Sequence, residues 1–482
     1  MYNFKLKSIT TNRAQITSDE TGDDIYYFNK LIEIYSTANP AYKHCKFAKS
    51  TRNTITFTGL YQIGLTEDII KSIKKIYPKS NITIDNNLKK ILYPLNITED
   101  KIINPKNNKF KYRDYQYNAI KEYIKKGRGI ILLPTSAGKS LVISGIINTV
   151  LTNSDIKTIL ILVPTLQLVK QIYNDFADYG DNISNIQMFS SFNPNFDKNK
   201  NIIIANRQWL ERHSDQLPKI DMLIVDETHT IAEKNNNVSK YVKSLETSVK
   251  LGLTGTLPDG QYEKWSVIGL IGPIIYEEKI TTLQEQKYIA NIAIHTMKFK
   301  HLNKPKFIYS NPLEMQHAYL DECTWIESNE NINKKIIDLA ENLQGNTLIL
   351  TDHIEHSEKL YELISKKERH LIKGDVELDY RENVRKLMET KDNIVTIAIT
   401  KCFSTGINIK NIRNIIFACG GKSLIKIIQS IGRGLRIHEN KKKLILVDTY
   451  HNLRYSLKHY QTRKKLYKAF YDKYPIETEI NI

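Results

Sequence analysis

The sequence predicts an α/β protein with two tandem parallel-sheet lobes, preceded by a small α+β domain. Three observations predict it. From about residue 112, short β-branched apolar runs bounded by turn residues alternate with amphipathic stretches long enough to be crossover helices. The same alternation recurs after about residue 330. The length of 482 residues corresponds to about three domains at roughly 150 residues each.

In residues 1–100, strand-like runs (TITF at 54–57 is one) accompany a helical stretch near 67–77. Ile69, Ile70, Ile73 and Ile76 recur there at helical spacing. The basic patch from Lys43 to Arg52 suits a phosphate backbone or a solvated face equally well. This segment is expected to be a small accessory domain that binds DNA. Residues 104–111 (NPKNNKFK) read as a linker or exposed loop. A first lobe is expected over 101–285, with buried strands at 129–133, 158–163, 202–205, 222–225 and 251–253. A less regular interlobe connection follows at 286–330. The second lobe, 331–450, has strands at 347–350, 394–399, 414–418 and 444–447, and helices near 355–365, 379–389 and 424–431. A basic helix closes the chain at 451–482.

Apolar residues at 41% and charged residues at 25% supply ordinary cores, which excludes collagen-like and wholly disordered chains. No apolar run reaches the ~18 residues needed to span a bilayer, and MYNFKLKSIT lacks the pattern of a secretory signal. The formal net charge is +18 and the pI about 9.3, which points to a polyanionic partner, nucleic acid ahead of a membrane surface. Cys45, Cys323, Cys402 and Cys419 form no CxxC pair, and no His cluster has zinc spacing, so they read as reduced cysteines.

Three constellations carry chemistry. In the first, a strand runs through Leu133 into Pro134-Thr135-Ser136-Ala137-Gly138-Lys139-Ser140 and then a helical run. Backbone N–H groups and a positive helix end can wrap a β-phosphate there, Lys139 can reach the β/γ oxygens, and Ser140 can ligate Mg²⁺. In the second, a buried run ends in Asp226-Glu227-Thr228-His229. Asp226 at a sheet edge can hold Mg²⁺ through water, and Glu227 can orient and deprotonate an attacking water. In the third, Gln429-Ser430-Ile431-Gly432-Arg433-Gly434-Leu435-Arg436 closes a helix with guanidiniums three residues apart. Arg433 and Arg436 can converge on charge building up at a γ-phosphate, or be surface arginines paired with acids or held on an RNA or DNA strand.

In this order, and on two α/β lobes, these elements resemble a superfamily 2 helicase of the DExH type. The resemblance extends to Tyr112–Gln116 as a Q motif, to the Val163-to-Gln171 segment as motif Ia, to Thr254-Gly255-Thr256 as motif III, and to residues 400–408 as motif V. PTSAGKS, FSTGI and the QxIGRxLR ending are further similar to the UvsW-type recombination and repair DNA helicases of tailed phages. Ser136 stands where many relatives have Gly, Ser430 where many have Arg, and Asn206 where motif Ib often has Thr.

The resemblance implies RecA-like lobes with ATP and Mg²⁺ between them, the metal on Ser140 and Asp226. It assigns catalysis to Lys139, Asp226, Glu227, Arg433 and Arg436. It assigns ATP binding to Gln116, Thr135, Gly138, Lys139, Ser140, Gly406 and Gln429. Coupling would fall to His229, Thr254 and Thr256, and strand contact to Thr165, Gln171, Thr400 and Lys401. Implied partners are branched or duplex DNA, RNA–DNA hybrids, and recombination or single-strand-binding proteins. The expected state is a monomer in the cytoplasm of an infected cell, away from membranes. The tail adds a reading of its own: residues 451–474 hold seven Lys/Arg against one acid, so Arg463 and Lys464 are expected on DNA. An RNA helicase, or a DNA-binding or annealing protein with a vestigial ATPase, are the alternatives.

Overall fold

The computed structural model describes residues 3–18, 24–38, 51–189, 197, 199–232, 237–305, 317–374, 378–400, 409–418, 421, 424–438, 441 and 443–482. The chain divides into two compact units, Met1–Leu133 with Gly138–Glu278, and Lys279–Ile482 with Pro134–Ala137.

The first unit holds two principal sheets. The smaller, in the order β5-β2-β1-β6, comprises β1 (Asn3–Ser8), β2 (Arg13–Ser18), β5 (Leu60–Gln62) and β6 (Asn81–Ile84). It is mixed, because β1 pairs antiparallel with β2 and parallel with β6. The short hairpin β3 (Ser36–Ala38) and β4 (Thr51–Asn53) lies apart from it. The larger sheet has seven strands in the order β13-β7-β12-β11-β8-β10-β9, all parallel. Its members are β7 (Arg128–Leu132), β8 (Ile159–Val163), β9 (Ile186–Phe189), β10 (Ile202–Asn206), β11 (Met222–Asp226), β12 (Val249–Thr254) and β13 (Ile274–Glu277). β8, β10, β11 and β12 are buried along their whole length, which is why the sequence shows continuous apolar runs there and no alternation.

The sequence places a strand at 54–57, and this is corrected. The strand is β4, at 51–53, and Ile55 makes only an isolated bridge to Tyr61. The following residues turn instead, with Gly59 at φ +74° and the Leu60 amide bonded to Thr56 Oγ1. The helix expected near 67–77 forms as Thr66–Ile76, with Ile69 and Ile73 buried.

The small mixed-sheet domain shares its core with the larger sheet. Phe4, Leu6, Ile16, Ile69 and Leu88 belong to one buried apolar cluster with Ile130, Leu160, Val225 and Ile271 of the larger sheet and its helices. Gly64 marks the closest approach, since a Cβ there would lie 1.9 Å from the Ile268 carbonyl oxygen. On β7 and β12 two cations are buried with no carboxylate partner among the described residues. Arg128 donates to the carbonyls of Thr11, Ser248 and Leu270, and Lys250 to Asn12 Oδ1 and the Val242 carbonyl. Burial depresses both, Arg128 to about 10. The β1–β2 turn is therefore tied to the larger sheet by charge-assisted bonds as well as by apolar packing.

The second unit is a seven-stranded parallel sheet in the order β16-β17-β15-β18-β19-β14-β20. It contains β14 (Asn291–Lys300), β15 (Thr347–Thr351), β16 (Arg369–Ile372), β17 (Val395–Ile399), β18 (Asn414–Phe417), β19 (Lys443–His451) and β20 (Ile476–Asn481). Two boundaries differ from the sequence reading. The supposed connection at 286–330 contains β14, which lies between β19 and β20. Its alternation of buried and half-buried residues runs through Thr296 and lapses at Met297 and Lys298, and its partner β19 lies about 150 residues later, so its place in the sheet has no local mark. The C-terminal helix, Arg454–Tyr471, is followed by β20, which returns the chain to the sheet.

Candidate nucleotide site and nucleic-acid surfaces

The phosphate loop leaves the C-terminal end of β7, where the Leu133 amide bonds to the Thr254 carbonyl at 3.0 Å. A turn closes from the Ala137 amide to the Pro134 carbonyl, and helix Lys139–Asn153 begins immediately after Gly138. Ser136 and Gly138 both have left-handed backbone, at φ +72° and +75°. The glycine is required on two counts. An L side chain at that φ is strained, and a Cβ would sit 2.4 Å from Gln116 Nε2. We expect Gly138→Ala to weaken nucleotide binding about tenfold, a cost of ~1.4 kcal/mol, as measured by titration with a fluorescent ATP analogue.

Gln116 is buried, and its Oε1 accepts from the Arg113 amide at 3.0 Å, closing the N-terminus of helix Asp114–Lys126. The structure thus brings the predicted Q-motif glutamine against the phosphate loop. Thr135 is half-buried in that loop.

Lys139 Nζ lies 2.9 Å from Glu227 Oε1, with both side chains largely buried. The Glu227 amide donates to Asp226 Oδ1 at 2.9 Å, and Glu227 is itself left-handed at φ +50°. Burial pushes the Asp226 carboxyl up to about 6; Lys139 opposes that shift and Glu227 reinforces it. A buried carboxylate so placed gains most from a cation. No group of three or more His, Cys, Asp and Glu able to hold a metal occurs among the described residues. Ser140 Oγ is 2.9 Å from the Tyr179 hydroxyl. Tyr179 carries no motif signal, since it lies 39 residues downstream.

The carboxylate pair continues into the residues to which the motifs assign coupling. His229 Nδ1 is 2.9 Å from Thr254 Oγ1 and 3.4 Å from Glu227 Oε2. Thr254 Oγ1 donates to the Thr256 carbonyl at 2.8 Å, which makes His229 the donor to Thr254. A continuous polar chain therefore runs from Lys139 through Glu227 and His229 to Thr254 and Thr256.

The residues assigned to strand contact fare differently. Thr165 caps helix Leu166–Tyr179, accepting from the Leu168 amide, and Gln171 is half-buried on that helix. Thr400 is 5% exposed, and its hydroxyl donates to the Thr351 carbonyl at 2.9 Å. Arg463 is bonded within the fold as well. Its Nε lies 2.9 Å from Asp448 Oδ2, its other nitrogens donate to the Gly421 and Thr449 carbonyls, and it is 1% exposed. Lys464, its neighbour, is exposed. Lys401 and Gly406 lie outside the described residues, as does the side chain of Gln429.

Arg433 closes helix Leu424–Gly434, and Arg436 follows it, both half-buried. Sequence reasoning missed the support of this segment. The Lys441 ammonium is buried and donates to the carbonyls of Gly434 and Lys410, joining the end of the arginine helix to the segment before β18. Burial takes Lys441 down to about 7. Its only sequence signal is a place in the basic run 441–443, which reads as surface charge.

Two family descriptions match the chain: "Type III restriction enzyme, res subunit" over residues 109–259 and "Helicase conserved C-terminal domain" over 330–438. The chain is similar to the ATP-dependent DNA helicase uvsW of Enterobacteria phage T4, 28% identical over 362 residues, which cover 73% of this chain and 70% of that protein. It is similar to the DNA 3'-5' translocase XPB2 of Sulfurisphaera tokodaii, 28% identical over half of each chain. Among solved structures, Saccharomyces cerevisiae Dbp5 bound to RNA and ADP BeF3 has a TM-score of 0.54 at 16% identity, covering 77% of this chain and 90% of that one. That likeness concerns the fold.

Proposed function

We propose that the chain is a superfamily 2 DNA helicase close to the UvsW type, one that uses ATP and Mg²⁺ to move along and unwind branched DNA. Forks, junctions and R-loops in recombination, repair or replication restart are the substrates this reading names. The observation that carries it is the polar chain from Lys139 through Glu227 and His229 to Thr254 and Thr256. One connected network holds the group that meets the phosphates, the base that activates water, and the segment leading away from them.

In this reading ATP draws Lys139 onto its β/γ oxygens and releases Glu227 to orient and deprotonate a water. Asp226 and Ser140 would hold Mg²⁺, which would supply charge neutralisation at the phosphates. His229 senses the change at Glu227 through its bond to Thr254, so the state of the nucleotide is relayed as a rearranged hydrogen bond. Arg433 and Arg436 stabilise the charge on the γ-phosphate; that role rests on their motif.

The test is the ATPase rate on a panel of forked DNA, single-stranded DNA and duplex RNA at two salt concentrations. Forked DNA is expected to stimulate most, and the stimulation to fall steeply between about 50 and 200 mM salt, because grip through phosphates releases counterions. Equal or greater stimulation by duplex RNA would move the substrate class to RNA. Absence of hydrolysis with every polynucleotide would leave a binding or annealing protein.

A further inference from the structure

The C-terminal helix Arg454–Tyr471 has two faces of opposite character. Six of its 18 residues are Lys or Arg and none is acidic. One face, with Ser456, His459, Tyr460, Arg463, Tyr467 and Tyr471, is buried on the second sheet. The other presents Arg454, Lys458, Gln461, Lys465 and Lys468, all exposed and spaced by four, three, four and three residues. That spacing sets them in one row along the helix, a row about 21 Å long at 1.5 Å per residue.

The row is rigidly held. The buried Glu322 carboxylate caps the helix, accepting from the amides of Tyr455 and Ser456 at 2.7–3.0 Å. Arg463 and Tyr467 both donate to Asp448, and Tyr460 stacks on Tyr450 at 3.9 Å while its hydroxyl meets Thr296. Among the described residues, no carboxylate pairs with Arg454, Lys458, Lys464 or Lys465; Lys468 pairs with Asp472, itself highly exposed. Glu477 and Glu479, in the strand that follows, are taken up by Lys298 and Lys300. Glu322 supplies the anion at the helix N-terminus, but the like charges at helical spacing along the outer face destabilise a helix unless an external anion offsets them.

We infer that this row is a ridge that tracks the phosphate backbone of a duplex DNA arm outside the motor. The inference rests on the DNA reading above and narrows it. Single-strand binding needs aromatic platforms for bases, and the tyrosines that the sequence interleaves with the lysines are turned inward at 460, 467 and 471. What remains outward along the helix is a straight, stiff row of four cations with Gln461 at its middle, Tyr474 being exposed past the helix end; such a row suits the regular phosphates of a duplex.

The test compares full-length chains. The ridge variant combines Arg454→Gln, Lys458→Gln, Lys465→Gln and Lys468→Gln. A charge-matched control combines Lys334→Gln, Lys335→Gln, Lys366→Gln and Lys391→Gln, exposed lysines elsewhere on the same unit. Binding to a short blunt duplex and to oligo-dT is followed by fluorescence anisotropy across a salt series, and folding is checked by thermal melting. Each lost phosphate contact lowers the slope of log K against log salt by about 0.9 on duplex DNA. The ridge variant is expected to lose about 2–4 units of slope on duplex, with little change on oligo-dT, and the control to keep the parental slope. A parental slope in the ridge variant, an equal loss in the control, or an equal loss on oligo-dT overturns the inference. Should the parent hydrolyse ATP without any stimulation by DNA, the motor reading fails, while the slope comparison still reports on the ridge.

Discussion

In Glu227→Gln, DNA-stimulated ATP hydrolysis is expected to fall about 10²–10⁴-fold, the usual contribution of a positioned general base, while ATP still binds. The amide preserves the shape of the carboxylate but cannot take a proton from water. It also removes the anion that faces Lys139 at 2.9 Å, so the ammonium becomes freer to meet phosphate. Nucleotide affinity should therefore hold or rise as turnover collapses. Lys139→Ala has the complementary outcome: turnover lost by about 10²–10³-fold through missing charge stabilisation, and ATP affinity lost with it. Steady-state ATPase assays with saturating DNA, beside nucleotide titrations, separate the two patterns. Parental turnover in both variants would remove the basis for the proposed mechanism.

Arg463→Ala carries the second large effect, and it falls on stability. Asp448 is completely buried and takes both Arg463 and the Tyr467 hydroxyl on one oxygen. Deleting the guanidinium leaves a buried carboxylate short of its counter-charge, which typically costs about 3–5 kcal/mol. Chemical denaturation should show that loss. Pairing the change with Asp448→Leu should recover part of it, because the uncompensated charge is then gone. Lys464→Ala, one residue away and exposed, should leave stability within ~0.5 kcal/mol. A destabilisation of Arg463→Ala no larger than that of Lys464→Ala would refute the structural role assigned to Arg463.

The contrast between those two neighbours shows where local reading stops. Both are basic residues in a basic tail, and composition treats them alike. Helical phase and a partner in β19 decide that one is core and the other surface. Thr400 repeats the point: its place in a motif suggests contact with a strand, whereas its hydroxyl is committed to the carbonyl of a neighbouring sheet strand.

What the sequence by itself determined is the chemistry that is local. The phosphate loop after an apolar strand, the Asp226–Glu227 pair at the end of another, and the Arg433/Arg436 spacing are each contiguous, and backbone geometry at a strand-to-helix turn follows from a handful of adjacent residues. The core strands were legible for the same reason, since strands buried on both faces read as unbroken apolar runs. Tertiary structure alone decided what depends on distant partners. β14 was hidden because its neighbours are β19 and β20, far along the chain. The shared core of residues 1–100 with the first large sheet, the carbonyls that hold Arg128 and Lys250, and the Lys441 bridge join segments that no sequence window contains. Desolvation and hydrogen-bond partners act through space, and so only the folded chain reveals which of its many cations are buried fasteners and which face the solvent.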